Sequence, residues 1–309
     1  MAAPDISGPK APPTEPRPSA SLVVINHRNE VLLVQRNPQA RSFAGTYVFP
    51  GGNYDPKQDT SLAMTAIRET FEESGLLIAS FDRSNDSSID IENASLDEGR
   101  RAVHEQKIDF QTFLRTHSLK PDLASLHPFT TWVTPQISAR RFQTQFYVTF
   151  LPKFEPTKFS SRRKEERLPT PDGRLEVIAA RFIRPEDALS DFRARHISLM
   201  PPQYYILETL RQLLPGHTST PEHQEKIALL TRGRFGQLVI NPKFHYDPVS
   251  DKEFFAYEGD ELRGGPPGRL HRAVVKRKAT VFTEIDLQRN FDIFAEDISS
   301  NSDPTNAKL

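Results

Sequence analysis

Apolar and polar positions divide the chain into short, separable elements. Residues 21–26 (SLVVIN) form a β-branched run, and residues 30–36 (EVLLVQR) form a second, with the polar turn 26–29 between them. That pattern predicts a β-hairpin, whereas a parallel-sheet nucleotide fold would want a helix after the first strand. Phe49-Pro50-Gly51-Gly52 reads as a tight turn. It is followed by a helix with Leu62, Ala63, Ala66, Ile67, Thr70 and Phe71 on one side. Asp59, Thr60 or Ser61 is placed to cap its start, and Gly75 to end it in a left-handed conformation.

Further on, residues 76–79 predict a strand, 81–97 a mobile polar loop and 98–115 a helix. Residues 129–133, 141–150 and 173–182 predict strands, the second nearly continuous in apolar character after Phe146, as for burial on both faces. Pro185 opens a short helix, and Pro201 another, running to Leu214 with Tyr205, Ile206, Leu210 and Leu213 as core. After residue 216 the pattern predicts only short strands, at 237–241, 254–257, 271–276 and 280–284. The expected organisation is a disordered leader at 1–19, a main domain at 20–215, a β-rich extension at 216–295 and a flexible tail at 296–309. The leader is rich in Pro, Ala and charge, with no apolar stretch of the kind a signal peptide carries.

Composition narrows the classes. A chain of 309 residues with 37% hydrophobic positions suits one elaborated domain or a domain with an extension. Forty basic residues balance forty acidic ones, so no bulk field draws the chain to nucleic acid or a membrane surface. The one local basic run, at 158–164, is followed at once by Glu165 and Glu166 and lacks interleaved aromatics, which fits a solvated loop. With no cysteine, disulfides, thiolate metal sites and cysteine nucleophiles are excluded. No apolar run reaches the roughly 18–20 residues of a membrane-spanning helix.

The chemistry concentrates on the helix after the Gly-Gly turn. Glu69, Glu72 and Glu73 fall at i, i+3 and i+4, within one turn, where their repulsion weakens the helix. A hard divalent cation with oxygen ligands cancels that repulsion, and a solvated acidic face is the plainer alternative. Arg68 immediately before the cluster and Gly75 after it favour the cation.

The stretch Arg68-Glu69-Thr70-Phe71-Glu72-Glu73-Ser74-Gly75-Leu76 resembles the end of the Nudix hydrolase box, G-x5-E-x7-R-E-U-x-E-E-x-G-U with U apolar. The front half differs: fifteen residues separate Gly52 from Arg68 where the box has thirteen, and Asp59 approximates the missing first glutamate. Leu32-Leu33-Val34-Gln35-Arg36, then Arg41, Gly45 and Phe49-Pro50-Gly51-Gly52, resemble the signature of the coenzyme A diphosphatase branch of that family, with Val34 and Asn37 as substitutions.

The resemblance implies an α/β fold, a Nudix α/β/α sandwich with a mixed sheet, here with a β-rich C-terminal extension. It implies Mg²⁺ or Mn²⁺ held by Glu69 and Glu73 with the Gly52 carbonyl, Glu72 as ligand or base, and Arg68 fixing the carboxylates. Glu176 is an added ligand or base, or an ordinary strand residue. Arg36 and Arg41 flank a loop beside the metal helix and are expected on phosphate; Arg140 and Arg141, before a later strand, bind phosphate or pair with surface acids. Tyr204 and Tyr205 are assigned to packing. The implied reaction is hydrolysis of coenzyme A or an acyl-CoA to 3′,5′-ADP and (acyl-)phosphopantetheine. Other diphosphates (a dinucleotide, a nucleotide-sugar, a prenyl diphosphate) and a catalytically silent binding module are the alternatives. Ala307-Lys308-Leu309 resembles a Ser-Lys-Leu peroxisomal address, so a peroxisomal import receptor is an expected partner.

Overall fold

The computed structural model describes residues 14–40, 43–81, 93–138, 140–151, 170, 172, 176–279 and 281–293. Arg41, the run 158–164 and the terminal Ala307-Lys308-Leu309 lie outside them.

The predicted hairpin forms the centre of the molecule. Strand β1 (Arg17–Ile25) turns through Asn26, whose side-chain oxygen accepts from the Arg28 and Glu30 N–H groups, into β2 (Val31–Arg36). The strand starts at Arg17, inside the segment expected as a disordered leader. Pro16 and Pro18 masked it, yet Pro18 still supplies a carbonyl, which accepts from Tyr54 N at 3.0 Å. Along its length β1 runs parallel to β8 (Phe142–Phe150) from Arg17↔Phe142 to Ile25↔Phe150. On its other edge it is shared: the first half pairs with β4 (Gly51–Asn53), and its end pairs with β2. β3 (Tyr47–Val48) and β9 (Val177–Ile183) flank β2, and β7 (His127–Val133) continues the mixed sheet beyond β8.

Because side chains alternate along a strand, β1 builds two cores at once. Leu22 and Val24 face helix α1 (Leu62–Ser74) and meet Ile67 and Phe71. Val23 and Ile25 face the other way. Their cluster includes Phe192 of α4 (Pro185–Arg193) and Tyr205 and Leu210 of α5 (Pro201–Leu213). Helices on both faces of a mixed sheet make the expected α/β/α sandwich.

Three expectations shift. The strand predicted at 76–79 is β5 (Ala79–Phe81), paired with β6 (Leu119–Pro121), while Leu76 and Ile78 are buried in the α1 core. The single helix predicted over 98–115 is two, α2 (Asn93–His104) and α3 (Phe110–Thr116). Gln106 adopts φ 55°, and the Asp109 side chain caps α3 by accepting from Thr112 N at 2.7 Å, so the chain breaks and restarts there.

The region after 216 is not purely β. It opens with α6 (Pro221–Arg232), capped by Thr220, and a two-residue strand β10 (Val239–Ile240) that joins the main sheet beside β7. The other strands, β11 (Lys243–Asp247), β12 (Lys252–Ala256), β13 (His271–Lys278) and β14 (Val281–Arg289), form an antiparallel sheet in sequence order. Phe255, Tyr257, Val275 and Ile285 enter the same hydrophobic cluster as Trp132 and Tyr205, so the extension shares the core of the sandwich. A polar link crosses that junction: Tyr205 Oη lies 2.9 Å from His271 Nε2. His271 Nδ1 is 2.7 Å from the Glu258 carbonyl, which can only accept, so Nδ1 carries the proton and the Tyr205 hydroxyl donates to Nε2. Burial depresses the His271 pKa to about 4, which keeps the ring neutral at physiological pH.

Candidate active site

α1 begins where the Ser61 side chain accepts from Met64 N at 3.2 Å and ends at Gly75, whose φ of 74° needs glycine. The Gly51-Gly52 turn is set by close approach. A Cβ at Gly51 would lie 2.4 Å from the Ala20 carbonyl oxygen, and one at Gly52 would lie 2.4 Å from the Glu69 carboxyl carbon. Two glycines therefore let β4 lie against β1 on one side and the acidic face of α1 on the other.

Arg68, almost fully buried, organises the acids. Its Nε and Nη2 donate to Asp59 Oδ1 and Oδ2 at 2.8 and 2.9 Å, a two-point pair. Nη1 lies 2.8 Å from Glu72 Oε1 and 2.9 Å from Glu69 Oε1. Asp59 also accepts from Thr65 Oγ1 at 2.9 Å and Asp55 N at 3.0 Å. It thus fills the supporting role that the sequence left open. The turn at 55–59, closed by Asp59 N on the Asp55 carbonyl at 2.8 Å, takes up the longer spacing.

Glu73 accepts from Gly51 N at 3.0 Å, and its other oxygen is 3.5 Å from Arg36 Nη1. Arg36 Nη2 stands 3.8 Å from Glu176, whose side chain is half exposed. Arg36 therefore sits between two acids, and its buried Nε has no acceptor among the described residues. Arg141 is placed differently: its guanidinium donates to the Thr134 carbonyl at 3.0 Å and the Thr14 carbonyl at 2.8 Å, tying the chain before β1 to β8. Arg140 is exposed. Tyr204 packs on Phe192 and Tyr205 on Trp132, on the face of the sheet opposite α1.

Two residues carried no recognised signal in the sequence. His104 Nδ1 is 3.3 Å from Glu72 Oε2, and Arg100 Nε donates to the Glu72 carbonyl at 2.8 Å. Arg100 also donates to the Thr170 hydroxyl and carbonyl, each at 2.9 Å. Four residues apart on α2, the two side chains share a face, and that spacing is the clue that was available.

The acids divide electrostatically. Burial opposes ionisation of Glu72, but the hydrogen bond from His104 and the charge of Arg68 outweigh it and hold its pKa below the ordinary value. In turn, the Glu72 hydrogen bond raises the pKa of His104. Burial pushes Glu69 up to about 7, with Arg68 opposing and the Glu72 charge adding. Glu73 is raised well above the usual carboxyl range, by burial and then by Glu69. Two carboxyls thus lack enough positive charge from the protein.

A hard divalent cation would relieve that deficit, and Glu69 and Glu73 are the carboxyls that could donate to it. Among the described residues no three His, Asp or Glu side chains already converge as a complete cage. Arg68 Nη1 occupies one oxygen of Glu69 and one of Glu72.

The chain is similar to known proteins over the region that holds this helix. Residues 55–210, just over half of the chain, match the family model for the NUDT19 Nudix domain. The chain is 24% identical over 243 residues to the acyl-coenzyme A diphosphatase NUDT19 of Xenopus laevis, covering 60% of each chain. It is 32% identical over 164 residues to the Gallus gallus protein of the same description, covering 48% of this chain and 40% of that one. The chain therefore spans about 60% or less of the length of these relatives. Among solved structures, a NUDIX hydrolase from Alicyclobacillus acidocaldarius superposes with a TM-score of 0.51 at 24% identity, covering 64% of this chain and 91% of that one. That likeness is one of fold.

Proposed function

Since the chain belongs to the NUDT19 Nudix domain family, we propose that it hydrolyses a diphosphate bond with a divalent cation, Mg²⁺ or Mn²⁺, and that its substrate is coenzyme A or an acyl-CoA. The observation that carries this reading is the pair of carboxyls, part-buried Glu69 and buried Glu73, left short of positive charge beside a Gly-Gly turn. Bound cations supply charge neutralisation of the diphosphate and an activated water. Hydrolysis adds the water oxygen to one phosphorus and breaks its bond to the bridging oxygen, which leaves with the other phosphate. The products would be 3′,5′-ADP and (acyl-)phosphopantetheine.

The chain's own residues have separate tasks in this scheme. Arg68, anchored on Asp59, holds Glu69 and Glu72 in register. Glu72, held at both oxygens, stays ionised as ligand or base. Glu176, half exposed and near Arg36, is the other candidate base. Arg41 is assigned to substrate phosphate on its resemblance alone, whereas Arg141, buried and donating to the Thr134 and Thr14 carbonyls, is not placed for it. Import into peroxisomes through Ala307-Lys308-Leu309 belongs to the same reading and rests on those residues alone; a fluorescent protein ending in this tripeptide should be imported, and one lacking the leucine should not.

A second substrate reading is favoured by the position of Arg36 between Glu73 and Glu176. An arginine occupied with the acids is less available to a 3′-phosphate, which would leave other diphosphates as substrates. Mass analysis of products from coenzyme A, dephospho-coenzyme A, a dinucleotide and a nucleotide-sugar decides between them. Preference for coenzyme A, with Arg36→Ala raising its KM roughly tenfold or more (about 1.4 kcal/mol) and sparing the dephospho form, supports the first reading. Equal effects on both substrates assign Arg36 to the acids, and no hydrolysis of any diphosphate overturns the enzyme reading.

A further inference from the structure

A cleft of about 770 Å³ lies where α4 and α5 face β13 and β14, on the face of the sheet opposite the α1 acids. Its volume is in the range of small-molecule sites. Six cationic side chains and four acidic ones line it. The charges are arranged in a repeated way. On one wall Arg193 and Arg211 share Glu208, at 3.0 and 2.9 Å. On the other, Arg195 and Lys276 share Glu284, at 3.6 and 2.7 Å. Each group holds two cations on one carboxylate and keeps a positive charge.

Arg289 lines the same cleft and differs from both. Its guanidinium is half-buried over the Tyr205 ring, 5.2 Å from the centroid, and Nη1 donates to the Thr209 hydroxyl at 3.1 Å. Both of these contacts are with neutral groups. Holding a cation partly out of water beside neutral partners is costly unless an anion completes it. The Tyr205 ring packs against the guanidinium, whose N–H groups not spent on Thr209 make a planar fork of the kind that suits phosphate. Asp251 and Asp286 also line the cleft, bonded to the neutral Tyr246 hydroxyl at 2.7 Å and the Gln288 amide at 3.1 Å; with their charges counted, the six cations still exceed the four acids.

We propose that this cleft is a second ligand site, separate from the α1 acids, which takes a small phosphorylated molecule carrying at least two negative charges. Arg289 receives one anionic group, and the surplus charge of the Arg195–Lys276 pair receives another. The site is built jointly by the sandwich and the extension, so its ligand would bridge the two. The inference does not depend on the diphosphatase reading.

Inorganic pyrophosphate is the probe, titrated calorimetrically into the full chain in EDTA, which removes any divalent cation that could hold a diphosphate at α1. Saturable binding at one site is expected, with a Kd below about 1 mM, well within ordinary small-ligand affinity. Arg289→Ala and Arg195→Ala should each weaken it at least tenfold, and Arg36→Ala should leave it unchanged. Arg195 is largely exposed, so its variant keeps the test open if Arg289→Ala fails to fold. Absence of saturable binding, unchanged affinity in Arg195→Ala, or loss of binding in Arg36→Ala would each overturn the proposal.

Discussion

Two buried aspartate–arginine pairs in this chain look alike and serve opposite ends. Asp59 and Arg68 meet at 2.8 and 2.9 Å in α1; Asp260 and Arg272 meet at 2.7 Å through both oxygens in the extension. Both aspartates are fully buried. In the extension the charges close on themselves. Asp260 also accepts from His271 N and Leu262 N, and Arg272 spends its other contact on Glu261. Burial opposes ionisation of Asp260, but Arg272 and the two N–H groups outweigh it and lower its pKa.

At α1 the same pair is loaded with three more acids. Arg68 is divided among Asp59, Glu69 and Glu72, and the shortfall raises Glu69 and Glu73. A buried pair that is self-sufficient is a structural fastener. One that leaves nearby carboxyls unneutralised makes a place for a cation from solution.

The contrast breaks first on activity. Glu73→Gln or Glu72→Gln should lower diphosphate hydrolysis by roughly a hundredfold or more, because metal ligation and charge are lost. In Glu73→Gln the melting temperature should hardly move, since Glu73 gives up a charge its burial already disfavours, whereas Glu72→Gln should lower it by losing the contacts to Arg68 and His104. Steady-state rates and thermal melts on the same preparations check both halves. A near-normal kcat in both variants would remove the α1 acids from the chemistry.

Next comes stability. Asp260→Asn strands Arg272 and should cost about 3 kcal/mol, toward the lower end for breaking a buried pair because Arg272 keeps some exposure. Urea unfolding should report that loss while the kcat of the folded fraction persists. A loss below about 1 kcal/mol would mean that the pair is no fastener.

pH sharpens the comparison with a smaller effect. Glu69 and Glu73 titrate above their ordinary 4.5 in the folded chain. Their contribution to stability is therefore present below about 4.5 and lost as pH rises, through about 7 for Glu69. Asp260, shifted down, has the opposite sign and loses its contribution only on acidification. In EDTA the melting temperature should thus fall between pH 6.5 and 8, above the range in which buried neutral His271 adds stability with rising pH, by roughly 3 °C. Mn²⁺ should recover it in the wild type. A flat profile in EDTA would contradict the assigned carboxyl shifts.

The order in which these features were legible follows from how local they are. The hairpin, α1 with both its caps, and the acid cluster were readable because each rests on spacing within a few residues. Asp59 was half readable: its acid type was visible, but its pairing with Arg68 depends on a turn at 55–59 whose closure is tertiary. The start of β1 was hidden by Pro16 and Pro18, since prolines argue against strands and their carbonyls are overlooked. α6 was missed because it buries few apolar residues, chiefly Ile227 and Leu230, and leaves Leu229 exposed, so its periodicity is weak. His104 and Arg100 sit on a helix that was mistaken for part of a longer one, and only packing of α2 against α1 brings them to Glu72. The shared core of sandwich and extension, with Trp132, Tyr205, Tyr257 and His271 in contact, lies beyond any local pattern.

The central claim, that α1 presents carboxyls awaiting a cation, is tested most directly by calorimetric titration of Mn²⁺ into the metal-free chain at pH 6.5 in two buffers of different protonation enthalpy. The account predicts saturable binding with release of protons, because Glu69 titrates near 7 and Glu73 also titrates high. Both binding and release should be lost in Glu73→Gln and kept in Asp260→Asn. Mn²⁺ binding that survives Glu73→Gln unchanged, or that releases no proton, would contradict it.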